Sequence, residues 1–391
     1  MASEPADMVL HLVGEKLRRL TATPSDQFNI FKVPDVLRKL NEKAYEPEIL
    51  AIGPYHHGED QLLAFEEHKT CYLKKLLERT SIPLSDYVMA MRALEDRARM
   101  CYGGSISLNR DEFVKMMLLD GCFIVEMPND PRNESFLVMI LRFFNGILPG
   151  KGCRRDIVDK VDVYPMNEIK HWVYLIHDNC LPSRGGIEAY GNNGTNNSYW
   201  SFICSATEIQ EAGIQFRKVD VLKDDSLFDI KFENGVMKMP SLEISDATET
   251  IFQNLIAYKQ CSQDINLKHV IDYVEFLNCL INSSKDAELL RRQGIIDILL
   301  GDDEAIATLF NKLCDGVVLG ERFYYREVFN EVNSHCSWRH NKWMAKLRHN
   351  YFNTPCAIIS FLAAVVLRLL TLLQALFAVL SYYQQAQGHG I

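Results

Sequence analysis

Acidic side chains stop early: no aspartate or glutamate occurs after Glu331, so the last 60 of 391 residues carry none. A cationic excess is also missing. Lys and Arg number 42 against 51 Asp and Glu, a formal net charge of −9. This excludes broad, non-specific nucleic-acid binding, which needs a basic face. The 11 cysteines include no C-x-x-C pair, the close spacing by which zinc sites usually announce themselves. Their odd number and apolar settings, as at Cys122 and Cys279, suit reduced thiols used as small apolar side chains. No G-x-S-x-G occurs. A phosphate loop is excluded at "FNGILPGKGCRR" (144–155). Only three residues separate Gly146 from Gly150 there. Pro149 removes an amide donor, and Gly152 stands where the metal-binding hydroxyl belongs. The N-terminus lacks the basic region and long apolar stretch of a secretory signal. "MASEPADMVLHLVGEKLRRL" suits an amphipathic helix instead, with Met8, Val9, Leu12, Val13, Leu17 and Leu20 on one side. No fixed-period repeat or heptad run is present. No catalytic constellation, cofactor motif, metal-ligand set or small-molecule substrate emerges.

What is present in strength is one apolar segment, "CAIISFLAAVVLRLLTLLQALFAVLSYY" (356–383). As a helix it is roughly 40 Å long at ~1.5 Å per residue, enough to cross a ~30 Å hydrocarbon layer with tilt. Between Ala357 and Leu380, 15 residues are Leu, Ile, Val or Phe. They favour insertion by roughly 5–9 kcal/mol, against ~3 kcal/mol for Arg368 near the centre. At 100° per residue, Ser360, Ala364, Arg368, Thr371 and Gln374 fall within one ~120° arc. Small and polar residues gathered on one side predict a helix–helix contact rather than lipid exposure. The bland alternatives are a snorkelling Arg368 or a helix packed in a soluble core. Arg339, Lys342, Lys346 and Arg348 crowd the preceding segment, 336–355, whereas the tail, 384–391, has no charged side chain. The positive-inside rule then predicts a single-pass, tail-anchored protein with its large part cytosolic. Either the plasma membrane or an endomembrane satisfies that topology. The basic segment adds attraction to anionic lipid, and Trp338, Trp343, Tyr351, Tyr382 and Tyr383 supply aromatic residues near both boundaries. The N-x-S/T triplets at Asn133, Asn193, Asn196 and Asn282 stay unglycosylated on this topology.

The remainder is predicted to be mainly α with a small antiparallel sheet, an α+β fold. A polar, glycine-rich linker, "GNNGTNNS" (191–198), separates a helical half (1–190) from a half of sheet plus helices (199–335). "DVLRKLNEKAY" reads as a short helix with Asp35, after Pro34, as its candidate cap, or with Pro34 itself in the turn before it. Helices follow over "QLLAFEEHKTCYLKKLLERT", "LSDYVMAMRALEDRARMCY" and "LNRDEFVKMMLLDGCFIVEMP", the last two divided by Gly103-Gly104. Phe228, Ile230 and Phe232 alternate ahead of Asn234-Gly235, a hairpin signal. "DATETIFQNLIAYKQC" opens with a D-x-x-E capping pattern. "VIDYVEFLNCLI", "SSKDAELLRRQGII" with Gly294 as its stop, and "GDDEAIATLFNKLC" complete the helices.

The conspicuous motif is "IGPYHHGED": Gly53, Pro54, Tyr55, His56, His57 and Gly58. Adjacent histidines point different ways in most backbones and make poor co-ligands. The favoured expectation is a rigid turn whose imidazoles bond backbone. It feeds a solvated helix on which Glu66, Glu67 and His68 neighbour Lys69, Lys74 and Lys75. An acid–base or metal site and a binding surface are the alternatives.

"FKVPDVLRKLNEKAYEPEILAIGPYHHG", "EEHKTCYLKKLLER", "FVKMMLLDGCFIVE", "SATEIQEAGIQF", "FDIKFENGVMKMPSLEI", "TETIFQNLIAYKQC", "LINSSKDAELLRRQGII" and "NYFNTPCAIISFLAAVVLRLLTLLQ" carry a resemblance. Nearly end to end, the chain resembles the plant domain-of-unknown-function 247 family. The resemblance implies one family domain over 1–335, a C-terminal membrane helix and no established catalysis. It also implies recognition or signalling at a membrane, since some members are implicated in grass self-incompatibility and others in growth or defence. Two departures stand out. A leucine-rich D-L-L-L-L-E-N-Q-I-P-F-F-V-L block is reduced here to "NESFLVMILRFF", and Arg368 replaces a commonly apolar position. The expectation is a membrane-anchored, non-catalytic protein whose partners are membrane lipid and either another protein or a second copy of itself. The rivals are an enzyme built on the GPYHHG turn and a degenerate family copy.

Overall fold

The computed structural model describes residues 9, 14, 30–126, 144, 148–150, 171–180, 201–219, 226–261, 268–299, 302–317, 323–337 and 355–388. The expected N-terminal amphipathic helix lies outside these, apart from Val9 and Gly14, both helical. Also outside are most of "NESFLVMILRFF", the linker 191–198, the triplets at Asn133, Asn193 and Asn196, and the basic segment with Arg339, Lys342, Lys346 and Arg348. Trp338, Trp343 and Tyr351 are outside as well.

The "DVLRKLNEKAY" segment does not form one helix. It divides into α1 (Asp35–Arg38) and a 3₁₀ turn over Glu42–Tyr45. Asp35 is already the first helical residue and does not cap; Pro34 occupies the preceding position with an extended backbone. A proline suits that place, because it has no amide proton to leave unsatisfied. Asn41 Nδ2 at the break donates to Glu249 Oε1 (2.8 Å) and Gln253 Oε1 (3.1 Å). Asn254 Nδ2 returns a bond to Ala44 O (2.9 Å). The entry strap is thereby stitched to a helix two hundred residues away in sequence.

Three helices follow: α2 (Leu63–Thr80), α3 (Leu84–Arg99) and α4 (Arg110–Glu126). α4 is the central one. Phe113, Val114, Met116, Leu118, Leu119, Cys122 and Phe123 are all buried, which is why its apolar pattern runs around the helix instead of along one stripe. Asn109 caps it by accepting from Glu112 N (2.9 Å), and Asn109 N donates back to Glu112 Oε2 (3.0 Å), a reciprocal capping box. α2 and α3 meet α4 around Leu76, Leu118 and Cys122, with Leu73, Tyr87, Val88 and Met91 at the edge.

The second body of apolar residues gathers around α8. The elements are α5 (Trp172–Cys180), α6 (Ala206–Glu211), α7 (Asp246–Cys261), α8 (His269–Leu280), α9 (Ser284–Arg292), α10 (Asp303–Leu313) and α11 (Arg326–Ser337). α8 buries Val270, Ile271, Tyr273, Val274, Phe276, Leu277 and Leu280. The "DATETIFQ" helix begins where the pattern places it, but its cap lies one residue earlier: Ser245 N donates to Thr248 Oγ1 (2.9 Å), leaving Glu249 for Asn41. Gly294 adopts φ 71° beyond α9, and Ile295 N donates to Leu290 O (3.0 Å), a glycine stop of the expected kind.

The sheet is small, as expected, but not simply antiparallel. β2 (Lys231–Glu233) and β3 (Val236–Pro240) form the Asn234-Gly235 hairpin, both turn residues having positive φ. β1 (Gln215–Val219) then pairs parallel to β3 on its other edge, and β4 (Leu242–Ile244) pairs parallel to β5 (Ile296–Ile298) in a second sheet. α7, α8 and α9 intervene between β4 and β5, so that parallel pair has the crossover length it needs, whereas the described element between β1 and β3 is β2. α12 (Pro355–Gly388) ends the described chain.

Asp286 joins two helix starts. Buried at the head of α9, its Oδ1 accepts from Thr207 N (2.9 Å) and Thr207 Oγ1 (2.7 Å). Its Oδ2 accepts from Ser283 N (3.0 Å) and Ser283 Oγ (2.7 Å). Burial raises its pKa, but these bonds, Thr207's first, outweigh that and hold it below the usual carboxylate range. A depressed pKa stabilises the fold above the unfolded-state value and ceases to do so as pH falls through the folded one. Asp286→Asn is therefore expected to cost about 1–3 kcal/mol at pH 7, a deficit that shrinks below pH 4. Denaturant unfolding of both proteins across pH 3–8 checks this.

Candidate functional site

The GPYHHG turn runs from Ala51 to Glu59 ahead of α2. Gly53 sits at φ +84°, and a Cβ there would lie 2.9 Å from the Tyr102 hydroxyl, so only glycine fits this approach. The Tyr102 ring meets the Tyr55 ring edge-on at 5.4 Å and Phe113 at 6.3 Å, and Tyr55 Oη donates to Ile30 O (3.2 Å). The Ile30 strand segment is itself bridged to Tyr102. Burial pushes the Tyr102 phenol up to about 12, with the Asp120 charge adding to it.

The group that holds the turn is Lys69, which departs from the expected solvated face, although Glu67, His68, Lys74 and Lys75 on the same helix are exposed as expected. The Lys69 side chain is 0% exposed. Nζ donates to Ala51 O (2.6 Å), Glu66 Oε1 (2.5 Å) and Asp120 Oδ1 (2.6 Å), which uses all three ammonium protons. The second oxygen of Asp120 accepts from Gly53 N (2.8 Å). One buried ion cluster thus grips the turn at two backbone atoms and ties it to α2 and α4. Asp120's pKa is raised by burial, against the lowering pull of Lys69 and the Gly53 amide.

The two histidines do not converge. His56 Nδ1 bonds Glu59 Oε1 at 2.8 Å, a carboxylate rather than the backbone partner expected. His57 Nδ1 is buried without a hydrogen-bond partner among the described residues. Among the described residues, no group of three or more His, Cys, Asp or Glu is placed to hold a metal ion.

A second polar cluster lies in the large core, at positions the sequence does not advertise. Asp272 on α8 is 1% exposed; Oδ2 accepts from Tyr324 N (2.8 Å), and burial raises its pKa to about 7. His269, one turn earlier, packs against the Tyr324 ring at 4.5 Å and is pushed down to about 4 by burial, with Lys259 adding. Tyr325 Oη donates to Phe228 O (2.8 Å). Near the hairpin, Phe232, Glu233, Asn234, Asn330, Ser334 and His335 line a groove of about 660 Å³.

Ser360, Ala364, Arg368, Thr371 and Gln374 all lie on α12 and are all exposed. Thr371 is already satisfied: Oγ1 donates to Leu367 O (3.1 Å) and Arg368 O (2.8 Å). The residues missed beforehand were Lys69 and Asp120. An aspartate inside "MMLLDGCF" and a lysine three residues after Glu66 were the available signals.

Lys69→Met strands two carboxylates and is expected to destabilise the purified full-length protein by about 3–5 kcal/mol. His56→Ala is expected to cost no more than about 1 kcal/mol, because its Glu59 pair is partly exposed. Thermal unfolding of both variants checks the contrast; equal losses would contradict it.

The family model described as a plant protein of unknown function, DUF247, matches residues 30–135 and 128–370. A UPF0481 protein of Arabidopsis thaliana is 26% identical over 422 aligned positions, covering 92% of this chain and 88% of the relative. A putative UPF0481 protein of the same plant is 27% identical over 183 positions, covering 46% of this chain and 34% of the relative. No solved structure matches. The three stretches that meet at Lys69, "ILAIGPYHHG", "EEHKTCYL" and "MMLLDGCF", lie within the first matched region, and the chain belongs to the DUF247 family of plant proteins.

Proposed function

We propose that this chain is a single-pass membrane protein whose large part faces the cytosol and acts in recognition or signalling at the bilayer, without catalysis. The observation that carries this is the state of α12. Ile359–Val379 is long and apolar enough to cross a membrane, and none of that stretch is buried against the rest of the protein. Leu367 is 63% exposed and Phe377 68%. Burying each such side chain is worth about 1.5–3 kcal/mol, so a helix of this composition left in water is strongly disfavoured. A bilayer removes that cost for the apolar side chains.

The site geometry supports the non-catalytic part of the reading. The turn that looked most like chemistry has its backbone clamped by Lys69 and Asp120, and its two imidazoles face separate surroundings. Recognition or signalling is the role that the family resemblance implies, and the cytosolic placement rests on the basic residues before α12 and the uncharged tail after it.

Membranes from cells expressing the full chain are expected to retain it after alkaline carbonate and to release it only with detergent. Recovery in the carbonate supernatant would remove the membrane reading. It would require α12 to be covered by protein instead.

A further inference from the structure

Arg368 lies one residue from the midpoint of Ile359–Val379. At ~1.5 Å per residue it is roughly 14 Å from one end of that stretch and roughly 17 Å from the other. Neither interface is within reach of its side chain without deforming the bilayer. It is also the only charged side chain between Pro355 and Gly388. No carboxylate of its own helix can neutralise it, and a guanidinium at this depth needs a partner.

We propose that α12 pairs inside the bilayer with the spanning helix of a different protein, one that carries an aspartate or glutamate near mid-membrane, and that Arg368 makes the pair. This rests on the spanning reading above. A second copy of this chain does not fit. Parallel self-pairing sets two guanidinium groups at the same depth in a low-dielectric medium, and α12 offers no acidic residue to separate them. A carboxylate does fit, because the planar guanidinium fork matches its two oxygens.

The rest of the helix surface agrees with one close contact. Ser360 and Ala364 share the Arg368 side and would let another backbone approach. Leu362, Leu369, Leu373 and Leu376 occupy the opposite side, suited to lipid. Thr371 lies between Arg368 and Gln374 but directs its hydroxyl to the carbonyls of Leu367 and Arg368, so it brings no unsatisfied donor to the interface. Arg368 and Gln374 are left as the groups that select a partner.

The test uses the full-length chain in membranes with three tagged probes, each a polyleucine single-span helix. One carries Asp at its centre, one carries Lys and one is unmodified. The Asp probe is expected to capture the chain at least about tenfold better than the unmodified probe, and the Lys probe no better than it. Arg368→Leu is expected to abolish the preference while the protein stays carbonate-resistant. Equal capture by the Asp and unmodified probes, or capture that survives Arg368→Leu, overturns the pairing. So does self-capture between two differently tagged wild-type copies that is lost in Arg368→Leu. In each of these outcomes carbonate resistance shows that the spanning reading has survived, whereas carbonate extraction of the wild-type chain places the failure there instead.

Discussion

An ammonium group taken wholly out of water must have its protons accepted and its charge matched. Lys69 meets both requirements with Glu66, Asp120 and the carbonyl of Ala51, and the architecture of the N-terminal helices follows from it. Asp120 has to sit inside α4, so α4 has to be central. Glu66 has to precede Lys69 by one turn, so α2 has to begin soon after the turn. The turn has to present Ala51 O and Gly53 N inward, which forces positive φ at Gly53 and brings it against Tyr102. A buried pair of this kind is not strongly stabilising in net terms, but breaking one half of it is costly. It therefore specifies one geometry among those the apolar pattern alone would allow.

The large core uses a different device. There, helix starts and strap residues are joined by neutral or singly charged bonds over long sequence separations: Asn41 to Glu249, Thr207 to Asp286, Tyr325 to Phe228. The fold is thus fastened at its polar points and filled with apolar residues between them. None of these fastenings involves α12, whose described side chains are exposed throughout. The described residues divide into a part fastened by these contacts and a helix whose described side chains are exposed. The membrane anchoring proposed above rests on that exposed helix.

How much of this was legible depended on whether a signal is local. Helix α7 was readable from its first residue to its last because apolar spacing and a terminal acid are both local. The hairpin was readable because Asn-Gly is one of the few dipeptides that accepts two positive φ angles. The parallel partner of β3 was not, since β1 lies across a crossover and its sequence says nothing about which edge it joins. The α7 cap was misplaced by one residue because Asp246-x-x-Glu249 has the local form of a cap, whereas Glu249 is engaged by Asn41 from far away in the chain and Thr248 bonds Ser245 N instead. Lys69 was misjudged for the same reason. Spacing on α2 makes it another basic residue on a charged surface; only Asp120, 51 residues later, makes it a core residue. The stripe on α12 is a pattern of sequence spacing; the structure puts its five residues on one exposed helix and turns the Thr371 hydroxyl to its own backbone, and its role as a contact face is a proposal.

On the proposed topology, the fastened domain lies in the cytosol and residues 384–391 on the other side of the membrane. Protease protection on intact microsomes carrying the full chain, tagged at both ends, tests this directly. External protease is expected to destroy the N-terminal tag while a C-terminal fragment containing α12 and its tag survives until detergent is added. Survival of the N-terminal tag, or loss of both tags without detergent, would contradict it.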